Sequence, residues 1–196
     1  GVVEIGPGAF RDATWLKEIQ FPDSLYYIGE EAFRASGLES VEFPATIAET
    51  APYSFADCSG LTQAVFKSRD AKYEVNDDYS ECVPTPLNIG QGSFQGCAAL
   101  KDLVIGERKE TWIGNAAFAG SKTTEIVLPW NCDFSAESFA GIDGEVTVWY
   151  PFANYWDDDD WHEDYYEDEE VSYTIHDEEI GDETEVVTQV HFIPYY

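Results

Sequence analysis

Carboxylates concentrated toward one end of the chain are the side chains best suited to hold an ion. Residues 157–170 have the sequence DDDDWHEDYYEDEE, in which ten of fourteen residues are acidic. Hard oxygen ligands at this density suit Ca²⁺, with Asp157, Asp158, Asp159 and Asp160 as the candidate ligands. The run lacks the glycine at position six and the glutamate at position twelve of an EF-hand loop, so a solvated charge run is the simpler interpretation. We therefore predict no bound metal or cofactor, with calcium at this run as the alternative.

The four cysteines are candidates for thiol chemistry. Cys58 and Cys97 each follow a phenylalanine by three residues, a position expected to face the core, so free buried thiols and a bridge between the two are both open. Cys82 and Cys132 fall outside this pattern, which favours a disulfide in a surface protein. Four cysteines allow three pairings, and the sequence does not choose among them. The sequence contains no C-x-x-C, which argues against a zinc or redox motif.

No catalytic motif is found along the sequence. The glycine-rich stretch GQGSFQG at 90–96 matches neither a phosphate-binding loop nor a G-x-S-x-G nucleophile turn. His162 is adjacent to Glu163, but all three histidines lie after residue 160, and a solvated ring is the simpler interpretation. No pair of carboxylates stands out as buried, which general acid–base catalysis would require. We therefore predict that the protein is not an enzyme.

The charge balance excludes two classes of partner. Lys and Arg number 10 against 39 Asp and Glu, which gives a net charge of −29. Nucleic acids and anionic membranes are repelled by such a surface, whereas basic proteins are attracted to it. No apolar run approaches the roughly 18 residues that a membrane-spanning helix needs. We expect protein partners, basic ones among them, and no membrane insertion.

A recurring phrase indicates the elements that position these side chains. It appears as IGPGAF, IGEEAF, IGQGSF and IGNAAF, and the aligned phenylalanines are residues 10, 33, 55, 94, 118 and 139. Their spacings are 23, 22, 39, 24 and 21, so we place an insertion at 68–84 within the long interval. Units this small do not bury their own apolar face, and the period predicts stacked units with each phenylalanine above the last. The glycine that follows the isoleucine in each phrase is expected to adopt a positive φ in a tight turn.

An alternating apolar segment follows each phenylalanine and predicts one strand per unit. The segments are 16–22, 38–44, 61–67, 100–106, 123–129 and 145–151. Because side chains alternate across a strand, the outward residues of the segments would form one rigid ribbon, which either binds a protein or is simply solvated. Glu145 and Thr147 complete this ribbon. Its candidate partner-binding residues are Glu18, Gln20, Ser40, Glu42, Gln63, Val65, Asp102, Val104, Glu125 and Val127.

The combined pattern IG..AF..C..L..I.FP resembles the BspA-like leucine-rich repeat, the Treponema pallidum type. Residues 9–33, AFRDATWLKEIQFPDSLYYIGEEAF, match it closely, SFADCSGL and SFQGCAAL carry its cysteine, and residues 146–161 resemble its closing rung. The resemblance covers about residues 1–156. It implies a cell-surface or secreted protein associated with adhesion to proteins, cells or matrix, and it supplies no catalytic residues. The expected fold is an α/β-type repeat solenoid dominated by short parallel strands, a right-handed coil of about six rungs.

The acidic run marks a change in composition. No Lys or Arg occurs after Lys122, and 16 of the 29 residues from Asp157 to Glu185 are acidic. We therefore divide the chain into a leucine-rich repeat solenoid, residues 1–156, and an acidic, aromatic-rich cap with a β-hairpin tail, residues 157–196. The hairpin is predicted by two alternating segments, 171–176 and 184–193, and it either caps the solenoid or extends away from it.

The first residues begin partway through a unit, because Val2 and Ile5 align with Leu25 and Ile28 of the next one. An apolar first coil without a polar cap requires further repeats, a covering partner, or copies stacked head to tail. The leading hypothesis is a non-enzymatic extracellular or cell-surface interaction module with an adhesive role. The alternative is a structural subunit that self-assembles into a filament through this edge and the C-terminal tail.

Overall fold

The computed structural model describes residues 1–68, 86–108, 110–129, 132–151, 154–157, 160–163, 168–177 and 182–195. Within these ranges, side chains are described for all residues except 151, 154–157, 160–163, 173–177, 182–184 and 195. The predicted insertion at 68–84, apart from Ser68, therefore lies outside the described residues.

The described residues form fifteen strands and one short 3₁₀ helix, Ala136–Phe139, and none of their helical structure is long and apolar enough to cross a membrane. Most neighbouring strands are parallel, and the exceptions are two antiparallel pairs near the C-terminal end. In chain order the strands are β1 (Glu4–Ile5), β2 (Tyr27–Ile28), β3 (Ser40–Phe43), β4 (Glu49–Thr50), β5 (Gln63–Phe66), β6 (Leu87–Ile89), β7 (Asp102–Ile105), β8 (Thr111–Ile113), β9 (Glu125–Val127), β10 (Cys132–Asp133), β11 (Gly144–Pro151), β12 (Asn154–Asp157), β13 (Asp160–Glu163), β14 (Glu169–Asp177) and β15 (Asp182–Tyr195).

A six-stranded parallel sheet receives one strand from each repeat, and the sequence analysis did not predict it. Its order is β1-β2-β4-β6-β8-β10. The strands pair in register, so that Ile28 lies beside Thr50 and Thr50 beside Ile89, and all three side chains are buried. Strands of two or three residues are too short for a period-two pattern to be recognised in sequence, which explains the omission.

The strands that alternation predicts form a second set. β3, β5 and β7 make a parallel three-stranded sheet, and β9 and β11 belong to a four-stranded sheet of order β14-β15-β11-β9. The strands predicted within 38–44, 61–67, 100–106, 123–129 and 145–151 are thus confirmed. In β3, Val41 and Phe43 are buried while Ser40 and Glu42 are exposed, which is the alternation that the pattern requires.

The strand predicted at 16–22 is wrong. The segment runs beside the next repeat, and the Glu39 N–H donates a hydrogen bond to the Lys17 carbonyl at 3.0 Å, but no strand ladder forms. Ile19 and Phe21 are half-buried and their neighbours Glu18 and Gln20 are exposed, so the alternation is retained. Within the described residues this segment has a neighbouring repeat on one side only.

Five of the six repeat-defining phenylalanines, from Phe10 to Phe118, form one continuous stacked column, whereas the ring of the sixth, Phe139, contacts Phe134 and Phe192 instead. Phe55 and Phe94 stack at 5.4 Å between ring centroids although they are 39 residues apart in sequence, so the long interval does not interrupt the column. Such spacings are those of favourable aromatic stacking. Neighbouring centroids are 4.9 to 5.9 Å apart and the ring planes differ by 8° to 18° along Phe10, Phe33, Phe55, Phe94 and Phe118. Phe139 is also fully buried, whereas Phe10 at the end is half-buried.

A second aromatic column comes from the inward face of the strands. Phe21 stacks on Phe43 at 5.8 Å, and Phe43 stacks on Phe66 at 4.2 Å. The two columns meet edge to face, with Phe43 at 87° to Phe55 and Phe66 at 84° to Phe94. Because the columns interlock, the strands are held at a fixed position relative to the first column.

The glycine of the IG pair in each phrase was expected to have a positive φ, but Gly6, Gly29, Gly90 and Gly114 do not have one. They permit close approach between repeats instead. A Cβ on Gly90 would lie 2.7 Å from the Thr50 carbonyl oxygen, and a Cβ on Gly114 would lie 2.5 Å from the Gln91 nitrogen. Distances below 3.0 Å to backbone atoms leave no room for a side chain, so glycine is required by packing rather than by φ.

Left-handed backbone lies two residues after each of the six phenylalanines and two residues before each of them except Phe139. It turns the chain so that the Phe33 N–H donates to the Ser54 carbonyl at 2.7 Å and the Phe55 N–H to the Ser93 carbonyl at 2.8 Å. These bonds between repeats help to offset the cost of a left-handed conformation at residues other than glycine. The positions with positive φ are Gly8, Glu31, Tyr53, Gly92 and Ala116 before the ring, and Asp12, Ala35, Asp57, Gly96, Gly120 and Gly141 after it.

The hairpin predicted in the C-terminal region is confirmed as the antiparallel pair β14 and β15. β15 also pairs in parallel with β11, which places Val190 beside Val146 and Phe192 beside Val148 in the core. Phe192 contacts the ring of Phe139 at 6.3 Å. The hairpin therefore continues the sheet of the repeats, and the division at residue 156 stays a prediction.

Replacing Gly90 by alanine is expected to lower the free energy of unfolding by about 1–3 kcal/mol, because the new Cβ meets backbone of the neighbouring repeat. Gly6 occupies the same place in the first phrase, and a Cβ there would meet no atom within 4 Å. Gly6→Ala should therefore change the same quantity by no more than about 0.5 kcal/mol. Urea unfolding followed by circular dichroism compares the two variants. Equal effects would show that backbone contact between repeats is not what selects glycine.

Candidate interaction surface on the outward strand face

The ten predicted partner-binding residues lie on one face of the strands. We call this face the strand ribbon, defined as the outward residues of segment 16–22 and of β3, β5, β7, β9 and β11. Nine of the ten are exposed and Val65 is half-buried, and the inward residues between them are buried or half-buried in the core. The structure thus brings these residues together, while their role in binding stays a prediction.

Strand register arranges the ribbon in rows. Parallel pairing of β3, β5 and β7 aligns Ser40, Gln63 and Asp102 in one row. The row two residues further along the strands is Glu42, Val65 and Val104. Because neighbouring strands are about 4.8 Å apart, each row is a closely spaced line of side chains.

A shallow cavity of about 410 Å³ occupies the first part of the strand ribbon. Five of the ten predicted residues line it, together with the neighbouring side chain of Lys67. The five are Glu18, Gln20, Ser40, Glu42 and Gln63. Its lining is mostly polar, which suits hydrogen bonding to a partner rather than burial of an apolar ligand.

Basic side chains offset acids in this first part. The Lys67 ammonium pairs with the Glu42 carboxylate, and this hydrogen bond raises the pKa of Lys67. Lys17 lies 3.5 Å from Glu39 at the edge of the ribbon. All four groups are largely exposed, so the pairs contribute little to stability and remain accessible to a competing partner.

The ribbon continues beyond the predicted residues, onto β11 and β15. Register places Val127 beside Trp149 and Trp149 beside Ile193. In the adjacent row Thr147 lies beside His191. The sequence analysis placed Thr147 on the ribbon but missed Trp149, His191 and Ile193. For Trp149 the available signal was the alternation of 145–151, in which Glu145 and Thr147 already face outward. For His191 and Ile193 it was the alternation in TEVVTQVHFI, but sequence alone did not show that this strand pairs with β11.

A histidine–carboxylate pair lies at the β15 end of the ribbon. His191 Nδ1 lies 3.0 Å from Asp168 Oδ2, and the Phe192 N–H donates to Asp168 Oδ1 at 3.1 Å. The hydrogen bond with Asp168 raises the pKa of His191, and the charge of Glu145 acts in the same direction. The same contact lowers the pKa of Asp168.

The described cysteines, Cys58, Cys97 and Cys132, are free thiols. Cys58 donates to the Phe33 carbonyl at 3.1 Å and Cys97 to the Phe55 carbonyl at 3.2 Å, so these thiols satisfy backbone acceptors of the neighbouring repeat. Burial raises the pKa of the Cys97 and Cys132 thiols, which keeps them protonated and poorly nucleophilic. Of the alternatives open at the sequence level, the structure thus has free core thiols at Cys58 and Cys97. Cys82 lies outside the described residues.

Among the described residues, no three His, Cys, Asp or Glu side chains are arranged to hold a metal ion. The candidate calcium ligands at 157–160 lie outside the described side chains, although the backbone pairs Asp157 with Asp160 across β12 and β13. Calcium at this position stays a prediction.

Comparison with known proteins identifies the type of repeat. The family model described as the BspA type leucine rich repeat region matches residues 1–82 and 81–144 in six copies. A search of curated proteins finds no match. Among solved structures, the chain is similar to a leucine-rich repeat protein from Bacteroides ovatus, with 17% sequence identity and a TM-score of 0.45. That similarity covers 76% of this chain and 48% of the other, so the chain spans about half the length of the solved relative.

The Asp168–His191 contact predicts a pH dependence with a definite sign. Because the folded-state pKa of His191 is raised, its stabilising contribution is present below the ordinary value of about 6.5 and is lost as the pH rises through the folded value. An NMR titration should show His191 protonating above that ordinary value. Asp168→Asn should lower the His191 pKa, with His191→Gln identifying the resonance. A His191 pKa that Asp168→Asn leaves unchanged would contradict the assignment of the contact.

Proposed function

The chain belongs to the family of BspA-type leucine-rich repeat proteins, and on that premise we propose that it is a non-enzymatic module that binds a protein partner through the strand ribbon. The leucine-rich repeat is typical of protein binding and is generally a non-enzymatic interaction fold. Proteins of this family are often surface-associated. We extend this to an extracellular or cell-surface location and an adhesive role for this chain.

The observation that carries the proposal is the placement of ten outward side chains on one exposed face over a continuous aromatic core. A face held by interlocked rings loses little conformational freedom when a partner binds, so more of the contact energy appears as affinity. The face mixes carboxylates, amides and valines, which suits a protein surface better than a small apolar ligand.

The winding of the repeats is part of the same proposal. Connections between parallel strands in one sheet are right-handed in nearly all proteins, which supports a right-handed solenoid of about six rungs over residues 1–156. Residues 157–196 are proposed to close its C-terminal end. The pairing of β15 with β11 and the burial of Val190 and Phe192 support that assignment.

A second candidate function is head-to-tail self-assembly. Val2, Val3 and Trp15 are 56%, 51% and 74% exposed in the first repeat, which supplies β1, the outermost strand of the six-stranded sheet. Apolar side chains beside an unpaired strand edge favour stacking of another copy or another repeat. Sedimentation of the free chain distinguishes this candidate from the first. A self-assembling chain should associate more as its concentration rises.

Val65→Arg is expected to abolish partner binding, because it places a long charged side chain in the middle of the strand ribbon. Asn88→Arg is the matched control, since Asn88 is likewise half-buried in a central parallel strand but lies in the six-stranded sheet. A library of displayed protein domains is selected for binding to the whole chain. The affinity of each selected domain for both variants is then measured by biolayer interferometry. Selected binders should weaken at least about tenfold with Val65→Arg and less than about twofold with Asn88→Arg. Binders that tolerate Val65→Arg would place the interface elsewhere.

A further inference from the structure

The second half of the strand ribbon differs from the first in chemistry. We define the acidic–apolar patch as an apolar row, Val104, Val127, Trp149 and Ile193, with the carboxylates Asp102 and Glu125 beside its first half and Glu145 one row further away. We propose that this patch binds an amphipathic helix of a partner protein, one whose apolar stripe is flanked by Lys and Arg. The inference rests on the proposed function and adds the chemistry of the partner.

The apolar row is continuous and accessible. Val104 and Val127 occupy the same place in consecutive repeats, and they are 51% and 53% exposed. The register of β9, β11 and β15 extends the row to Trp149 and Ile193, which are half-buried. β7 contacts β9 directly, so the four side chains follow one another across the strands. Valines this exposed on a sheet face leave apolar surface that a partner would remove from water.

The carboxylates run alongside the apolar row. Asp102 and Glu125 precede Val104 and Val127 by two residues on the same strands, and both are exposed. Two residues along a strand are about 7 Å, so the acidic row and the apolar row are separate parallel lines. Beside Trp149 and Ile193 the acidic row gives way to Thr147 and His191. Glu145 is exposed one row further away on β11 and extends the negative charge there.

Charge complementarity selects a basic partner. Lys101 and Lys122 are exposed just before β7 and β9, and after Lys122 the sequence contains no Lys or Arg. The sequences of β9, β11 and β15 therefore contain His191 as their only basic residue. The first part of the ribbon differs, since Lys67 pairs with Glu42 there. A cationic partner would thus be drawn to the second half of the ribbon.

The spacing of the rows favours a helix over an extended segment. The apolar row crosses four strands, about 14 Å from first to last, which a helix of about ten residues spans. A helix presents an apolar stripe and a basic flank side by side, and so covers two parallel lines together. An extended segment points every second side chain at the surface along a single line, and it would leave one of the two rows uncovered.

The test uses the whole chain and a defined probe. The probe is a 14-residue amidated peptide of Leu and Lys with the leucines at helical spacing, labelled with fluorescein, and the control peptide has the same composition with that spacing scrambled. Fluorescence anisotropy gives the affinity of each peptide in about 150 mM NaCl, where long-range charge attraction is screened. The helical peptide should bind at least about tenfold more tightly than the scrambled one, because only the helical peptide aligns an apolar stripe with the apolar row.

Matched variants separate the patch from the charge of the whole chain. Val127→Asp should weaken the helical peptide about tenfold, because it places a charge in the apolar row. Val3→Asp changes the net charge equally at a valine of similar exposure away from the patch, and should change affinity less than about twofold. The double variant Asp102→Asn/Glu125→Gln should reduce the salt dependence of binding of the helical peptide. The control double variant Glu4→Gln/Glu30→Gln should reduce it less. Circular dichroism confirms that each variant is folded.

The possible outcomes distinguish failure of the inference from failure of the proposed function. Equal binding of the helical and scrambled peptides, or equal loss with Val127→Asp and Val3→Asp, would overturn the inference and show that only net charge attracts the probe. If domains selected on the chain depend on Val65 while the helical peptide does not distinguish the valine variants, the inference fails and the proposed function stands. If no selected domain depends on Val65, the proposed function itself fails, whatever the probe does.

Discussion

Stacking of phenylalanine rings between consecutive repeats is the interaction on which the rest of this structure depends. Each repeat is too small to bury its own apolar face, and the ring of the next repeat supplies the missing contact. Neighbouring rings such as Phe33 and Phe55 lie 4.9 Å apart and nearly parallel. The inward face of the strands adds Phe21, Phe43 and Phe66 in a second column that meets the first edge to face. Position and spacing of the strands follow from these contacts.

The same column determines the chemistry of the outward face. Because buried and exposed residues alternate along each strand, fixing Val41 and Phe43 in the core presents Ser40 and Glu42 to solvent. Register then aligns equivalent residues of successive repeats, so small differences between repeats become rows of distinct character. The change from Glu42 to Val65 and Val104 along one row is such a difference, and it turns a polar ribbon into an acidic–apolar one.

The periodicity of the sequence predicted the fold well, but it did not predict which residues have a positive φ. The phenylalanine column, five of six predicted strands and the C-terminal hairpin follow from patterns that burial imposes on sequence. The six-stranded sheet was missed because strands such as Tyr27–Ile28 are too short to show alternation. Positive φ was assigned to the phrase glycines, whereas it occurs at residues such as Glu31 and Ala35, where hydrogen bonds between repeats hold the turn. His191 and Ile193 joined the surface only through the long-range pairing of β11 with β15, which no local pattern encodes, whereas Trp149 follows from the alternation of 145–151.

The most direct test of the central claim is a double-mutant cycle on two neighbouring rings. Phe33→Leu and Phe55→Leu keep an apolar side chain at each position and remove the stacked pair, and urea unfolding gives the free energy of the two single variants and the double variant. Stacking across the repeat boundary predicts a coupling of about 0.5–1.5 kcal/mol between the substitutions. Losses that add without coupling would mean that the rings act only as separate apolar fillers, and the column would not be what joins the repeats.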